Sequence, residues 1–110
     1  MKTRVLKIDK DCFVSEEWLE NYVKAVNLIC GIFGLTVTQV RVCPSKMKGV
    51  HFYIHIIPAI DGELANQLQW LLGDDCCRVD FNRARIESGL QEWNKLFEEP
   101  ERELKTVYRV

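Results

Sequence analysis

Residues 44–57 read PSKMKGVHFYIHII, and this stretch decides the fold that the sequence predicts. Successive side chains of a β-strand point to opposite faces of its sheet. The apolar residues of the stretch share one face, and they are Val50, Phe52, Ile54 and Ile56. The polar rings share the other face, and they are His51, Tyr53 and His55. The pattern therefore predicts a strand with one face in a core and one face that can make polar contacts.

A short polar turn precedes this strand and ends at Gly49. Its residues Ser45, Lys46 and Lys48 can donate hydrogen bonds to an anion. His51 follows directly on the polar face of the strand. We therefore predict that Ser45, Lys48 and His51 bind the phosphates of a nucleotide.

The rest of the first 75 residues alternates between strand and helix patterns. Ser15 is a typical helix N-cap, and Gly34 stands where a helix C-cap belongs. Pro58 is expected to stop the strand that begins at Val50. The predicted elements are a strand over 3–9, a helix over 16–33, strands over 35–43 and 50–57, a helix over 64–72 and a turn over 73–75.

Residues 76–86, CCRVDFNRARI, fit two patterns. Alternation predicts a strand in which Val79 and Phe81 are buried and Asp80 is on the opposite face, whereas Cys77, Phe81 and Ala84 would suit a helix. We favour the strand. Residues 87–98 then predict a third helix that ends before Pro100, and residues 104–110 predict an edge strand or an arm that forms a dimer.

This β-α-β-β-α-β order predicts one α+β domain over residues 1–110, with a ferredoxin-like or RRM-like split β-α-β sheet and helices on one face. The alternation then brings the acidic and ring-bearing side chains onto the uncovered face, and they are Asp9, Asp11, His51, Tyr53, His55 and Asp80. Carboxylates at positions i and i+2 of one strand and on a neighbouring strand suit Mg²⁺ or Mn²⁺. We therefore predict a metal site at Asp9, Asp11 and Asp80.

Three short motifs resemble the catalytic core of archaeo-eukaryotic primases and primase-polymerases. They are Ile8-Asp9-Lys10-Asp11, the turn from Ser45 through Gly49 to His51, and Val79-Asp80. The resemblance implies that Asp9, Asp11 and Asp80 are catalytic metal ligands and that Ser45 and His51 bind nucleotide phosphates. If the chain is an enzyme, it is then a nucleotidyltransferase that depends on a divalent metal. Lys46 stands where this family has a glycine, and Lys10 separates the two aspartates.

Other functions fit the same sequence. Rolling-circle replication initiators use two histidines on a similar sheet, but their histidines are separated by one residue and those of this chain by three. A module without catalytic activity would bind single-stranded nucleic acid through Tyr53, Arg41 and Lys46. A dimeric structural or regulatory protein would keep the fold without the site.

Composition limits these choices. The net charge of −1 and the pI near 6.1 disfavour a protein that coats duplex DNA, so any contact with nucleic acid is expected to be local. No stretch reaches the roughly 20 apolar residues of a membrane span. The start of the chain lacks the apolar core of a secretory signal. The 5 cysteines have no paired metal spacing, so we expect reduced thiols, no zinc site and a cytoplasmic protein.

Overall fold

The computed structural model describes residues 2–12, 14–44 and 49–94, together with the backbone of residues 106–109. Within these residues the chain is an α+β protein, as predicted. Its elements are β1 (Lys2–Lys10), α1 (Glu16–Ile32), β2 (Thr36–Pro44), β3 (Val50–Asp61), α2 (Gly62–Leu71), α3 (Cys76–Glu87) and β4 (Thr106–Arg109). In the described part of the chain, every helix is too short or too polar to cross a membrane.

The strands form one sheet in the order β1-β3-β2-β4. Strand β3 lies between β1 and β2 and is antiparallel to both, so α1 connects two strands that are not neighbours. Strand β4 pairs with the outer edge of β2, with Arg41 opposite Val107. The prediction of an edge strand near the C-terminus is therefore confirmed.

Helix α1 begins and ends where the sequence predicts. The Ser15 hydroxyl oxygen accepts a hydrogen bond from the backbone N–H of Trp18 at 3.1 Å, and Glu16 and Glu17 occupy the first turn, where the helix dipole favours anions. After the last turn, Gly34 has a φ of 77°, a left-handed conformation that glycine adopts without steric cost.

The core lies between α1, α2 and one face of the sheet, and the predicted alternation of β1 and β3 is confirmed. Leu6 lies opposite Ile54 and Ile8 opposite Phe52, and all four side chains are fully buried. Tyr22 of α1 packs on the Phe52 ring at a centroid distance of 4.7 Å. Burying apolar surface at about 25 cal/mol per Å² makes this layer the main source of stability.

Two predictions about chain boundaries were wrong. Strand β3 continues past Pro58 to Asp61. Residues 88–92 form turns after α3, with Gly89 at a φ of 81°, so the predicted third helix does not start at residue 87. The second half of that prediction, residues 95–98, lies outside the described residues.

The predicted strand over residues 76–86 was also wrong, because this segment forms helix α3. The Asp75 carboxylate caps the helix by accepting hydrogen bonds from the backbone N–H groups of Cys77 and Arg78. The buried face of α3 includes Arg78, Val79 and Asn82, whereas Phe81 is 59% exposed. Polar side chains thus face inward, and the alternation of the sequence carried no information about burial.

Arg78 faces inward because it helps to satisfy the outer edge of β1. The backbone N–H of Lys7 donates to Gln69 Oε1 at 3.0 Å, and that of Asp9 donates to Asp74 Oδ1 at 2.9 Å. The backbone carbonyl of Lys7 accepts a hydrogen bond from an Nη atom of Arg78 at 3.0 Å. We call Gln69, Asp74 and Arg78 the edge clasp. It prevents this edge from pairing with another strand.

The edge clasp is held by a buried ion pair and by one further amide. The Asp74 and Arg78 side chains are 0% and 6% exposed and are bonded at 2.5 Å. Asn94 Oδ1 accepts from Arg78 at 2.6 Å, and Asn94 Nδ2 donates to Gln69 Oε1 at 2.7 Å. The segment after α3 is thereby fixed against β1.

We expect Arg78→Met to destabilise the protein strongly, because the substitution leaves the Asp74 carboxylate buried without its cation. Breaking a buried pair in this way costs about 3–5 kcal/mol. Urea unfolding followed by circular dichroism measures this cost. Arg83→Met is the control, because Arg83 pairs with Asp80 at 3.3 Å on the exposed side of α3 and should contribute less than about 1 kcal/mol. Equal losses in both variants would contradict a structural role for the edge clasp.

Candidate functional site

The face of the sheet opposite the core is polar, and the strand register arranges it in three rows. We call this surface the polar face. Each row takes one residue from β1, one from β3 and one from β2. The rows are Val5-His55-Gln39, Lys7-Tyr53-Arg41 and Asp9-His51-Cys43.

The middle row brings two cations to one aromatic ring. The guanidinium carbon of Arg41 lies 5.3 Å from the centroid of the Tyr53 ring, and Lys7 Nζ lies 6.0 Å from it. Both distances fall within the range of cation–π contacts, which extends to about 6 Å. Tyr53 is only 8% exposed, so the two cations are the more accessible part of this row.

The row at the end of β1 pairs a histidine with a carboxylate. His51 Nε2 lies 3.5 Å from Asp9 Oδ1, and His51 is 2% exposed. The predicted proximity of Asp9 and His51 is therefore present. The prediction that His51 and Tyr53 lie on an uncovered face was wrong, because β3 is the central strand and its side chains are flanked by those of β1 and β2.

Three buried nitrogen atoms on the polar face have no hydrogen-bond partner in the described part of the chain. They are Arg41 Nε, His51 Nδ1 and His55 Nε2. Burial lowers the pKa of His55, and the positive charge of Arg41 lowers it further. A buried polar atom without a partner costs about 1–3 kcal/mol, so these atoms mark a place where a ligand or water would be stabilised.

The carboxylates at the end of β1 are only partly assembled as predicted. Asp9 and Asp11 line a shallow cavity of about 290 Å³ together with Lys10 and Asp75. Burial raises the pKa of Asp9; His51 opposes this rise and Asp11 adds to it. Asp75 is thus a third carboxylate at this cavity, and the sequence reasoning had placed it only in a turn.

Asp80 lies elsewhere, because it belongs to α3 and not to a strand. Its carboxylate is exposed and pairs with Arg83 at 3.3 Å. It lines a separate cavity of about 350 Å³ between α2 and α3. The prediction that Asp80 projects from the sheet beside Asp9 was therefore wrong.

This placement does not fit a shared Mg²⁺ or Mn²⁺ ion. Oxygen ligands about 2.1 Å from one ion lie no more than about 4.2 Å from one another. Among the described residues, three candidate ligand atoms come within 4.8 Å of one another only at Asp75, Cys76 and Cys77. Asp9, Asp11 and Asp80 do not meet this condition, so we derive no catalytic step from a metal.

Of the other predicted site residues, Tyr53 and Arg41 lie together in the middle row of the polar face. Ser45, Lys46 and Lys48 lie outside the described residues. Lys7 is a residue of the polar face that the sequence reasoning missed as a ligand-binding candidate. Its alternation with Asp9 on β1 was the available signal.

Searches with known protein families, curated proteins and solved structures found no match to this chain. The function is therefore inferred from the arrangement of its own side chains.

We expect the stability of the free protein to fall on the acid side because of His55. The folded state lowers the pKa of His55 below the unfolded value of about 6.5, so the unfolded chain binds more protons as the pH falls. His55 thus favours folding fully above about pH 6.5 and loses this contribution as the pH drops towards its folded pKa. Urea unfolding between pH 5 and pH 8 should show a smaller acid loss for His55→Gln than for the wild type. Parallel pH curves would contradict the assignment.

Proposed function

We propose that this chain binds single-stranded nucleic acid through the polar face and that Lys7 and Arg41 contact the phosphates. The observation that carries the proposal is the convergence of these two cations, from strands on opposite sides of β3, over the Tyr53 ring. A guanidinium offers planar, paired donors that suit a phosphate, and an ammonium adds a second positive charge.

The burial of Tyr53 favours phosphate contacts over base stacking as the main contribution to affinity. Stacking on an aromatic side chain needs an accessible ring face, and Tyr53 is 8% exposed. We therefore assign Tyr53 the role of a support that positions Lys7 and Arg41. Because such phosphate contacts are independent of sequence, binding is expected to depend on salt and only weakly on base identity.

The charge distribution favours a single strand over a duplex. The net charge of −1 leaves no extended basic surface for a regular duplex, whereas the middle row is a local basic patch. The cleft next to β1 contains Glu92 as well as Lys2 and Lys7, so the basic patch does not continue cleanly beyond that strand. A split β-α-β sheet that presents one face to a single strand is also the arrangement of ferredoxin-like, RRM-type modules.

The primase-like reading is the alternative, in which the chain binds a nucleotide and transfers it with the help of Mg²⁺ or Mn²⁺. The cavity shared by Asp9, Asp11 and Asp75 favours this reading, and the position of Asp80 opposes it. A binding module requires only the polar face and no third carboxylate beside Asp9. We therefore prefer binding without catalysis, either by the monomer or by a homodimer.

Fluorescence anisotropy with a labelled oligothymidylate tests the proposal. Lys7→Gln and Arg41→Gln should each reduce the slope of log affinity against log salt by about 0.7, because each removes one phosphate contact on a single strand. Tyr53→Phe should bind like the wild type, because the ring is kept. Lys24→Gln, which removes an exposed cation from helix α1, is the matched control and should leave the slope unchanged.

Chelation of divalent metals separates the two functions. EDTA should leave oligothymidylate binding intact if the polar face acts without a metal. Binding that requires Mn²⁺ and is abolished by Asp9→Ala would instead support the primase-like reading. Absence of oligothymidylate binding at low salt, with the variants correctly folded, would exclude the proposed function.

A further inference from the structure

Two of the buried nitrogen atoms without partners lie next to each other on the polar face. Arg41 is opposite Tyr53 and Gln39 is opposite His55, so Arg41 and His55 are diagonal neighbours across β2 and β3. Such neighbours have Cα atoms about 7–8 Å apart, within reach of long side chains. The electrostatic effect of Arg41 on His55 agrees with this proximity.

These two atoms have complementary chemistry. Arg41 Nε always carries a hydrogen, because guanidinium is not deprotonated in proteins. His55 Nε2 is a donor in one neutral tautomer and always a donor in the imidazolium form. Both atoms lack a hydrogen-bond partner within the described residues, and both have almost no contact with solvent. A pair of unused donors beside a positive charge suits an oxyanion that accepts from both.

We propose that Arg41 Nε and His55 Nε2 form an oxyanion subsite for one phosphodiester group and that occupation of this subsite is coupled to protonation of His55. This proposal rests on the proposed function, because the phosphodiester belongs to the bound strand. It adds a fixed position for one phosphate and makes the affinity depend on pH.

The charges around His55 explain the coupling. Lys7 of β1 and Arg41 of β2 lie on the same face, and both oppose a third positive charge while the subsite is empty. Tyr53 and His51 are the titratable groups on the same face of β3, and Asp9 lies beyond His51. A bound oxyanion reverses the local balance by supplying a negative charge next to His55, so the imidazolium form becomes favourable. Proton uptake then accompanies binding.

The wild-type protein and inorganic sulfate give the first test, because sulfate keeps its charge between pH 5.5 and pH 8. The pKa of His55 is followed by NMR through the imidazole C–H signals, with and without sulfate. We expect sulfate to raise this pKa, and each unit of increase corresponds to about tenfold tighter binding of the anion to the protonated form. A pKa of His55 that does not respond to sulfate would overturn the subsite.

Oligothymidylate binding gives the second test, because its phosphodiesters do not titrate in this range either. Wild-type affinity should rise roughly tenfold between pH 7.5 and pH 5.5, as expected for about one unit of pKa coupling. His55→Gln keeps an amide donor without a titrating group, and its affinity should be nearly independent of pH. Arg41→Lys keeps the charge but removes Nε, so it should weaken the response of His55 to sulfate. Lys24→Gln should retain the wild-type pH dependence.

The outcomes separate this proposal from the broader one. Salt-dependent binding that Lys7→Gln weakens, together with an unchanged pH dependence in His55→Gln, would refute the subsite and keep the proposed function. A pH dependence that disappears in His51→Gln and persists in His55→Gln would assign the coupling to the wrong histidine and also refute it. A His55 pKa that sulfate raises in a protein that binds no oligothymidylate would support the subsite and refute nucleic-acid binding.

Discussion

Strand β3 is hydrogen-bonded along both of its edges, and this constraint determines the environment of each of its side chains. Because both neighbours are in place, Phe52 and Ile54 are fully buried against the helices. The same pairing places His51, Tyr53 and His55 between the side chains of β1 and β2 on the other face. A central strand cannot leave its polar side uncovered in the way that an edge strand can, so the polar rings are flanked by charged and polar neighbours. The polar face is a direct result of this position.

The alternation of β1 and β3 could be predicted because it reports burial directly. Leu6, Ile8, Phe52 and Ile54 are apolar and are in the core, and the residues between them are on the other face. The same reasoning failed for residues 76–86, where a polar residue is buried and Phe81 is exposed. Arg78 is inside because of Asp74 and the carbonyl of Lys7, and these partners are distant in sequence or in a turn. Only the helix cap at Asp75 was a local signal for α3.

The candidate site shows the same division between local and distant information. The sequence predicted that Asp9 and His51 share a face, because their parity follows from two secure strands. It could not place Asp80, whose position depends on the type of a single uncertain element. It also missed Asp75, which reaches the cavity of Asp9 because the edge clasp fixes the start of α3 against the end of β1. Residues brought together by tertiary contacts leave little trace in a single sequence.

The two edges of this polar architecture differ in how their buried groups are satisfied, and the difference separates structure from function. In the edge clasp, Gln69, Asp74 and Arg78 bond to one another's surroundings and to the backbone of β1. On the polar face, buried nitrogen atoms of Arg41, His51 and His55 have no partner among the described residues, although the surroundings are just as crowded. A chain that saturates one buried network could have saturated the other at little cost, for example with a serine or an amide near His55. Unsatisfied donors cost stability in the free protein, and a bound oxyanion would recover that cost. The polar face is therefore the surface at which a ligand would complete the fold.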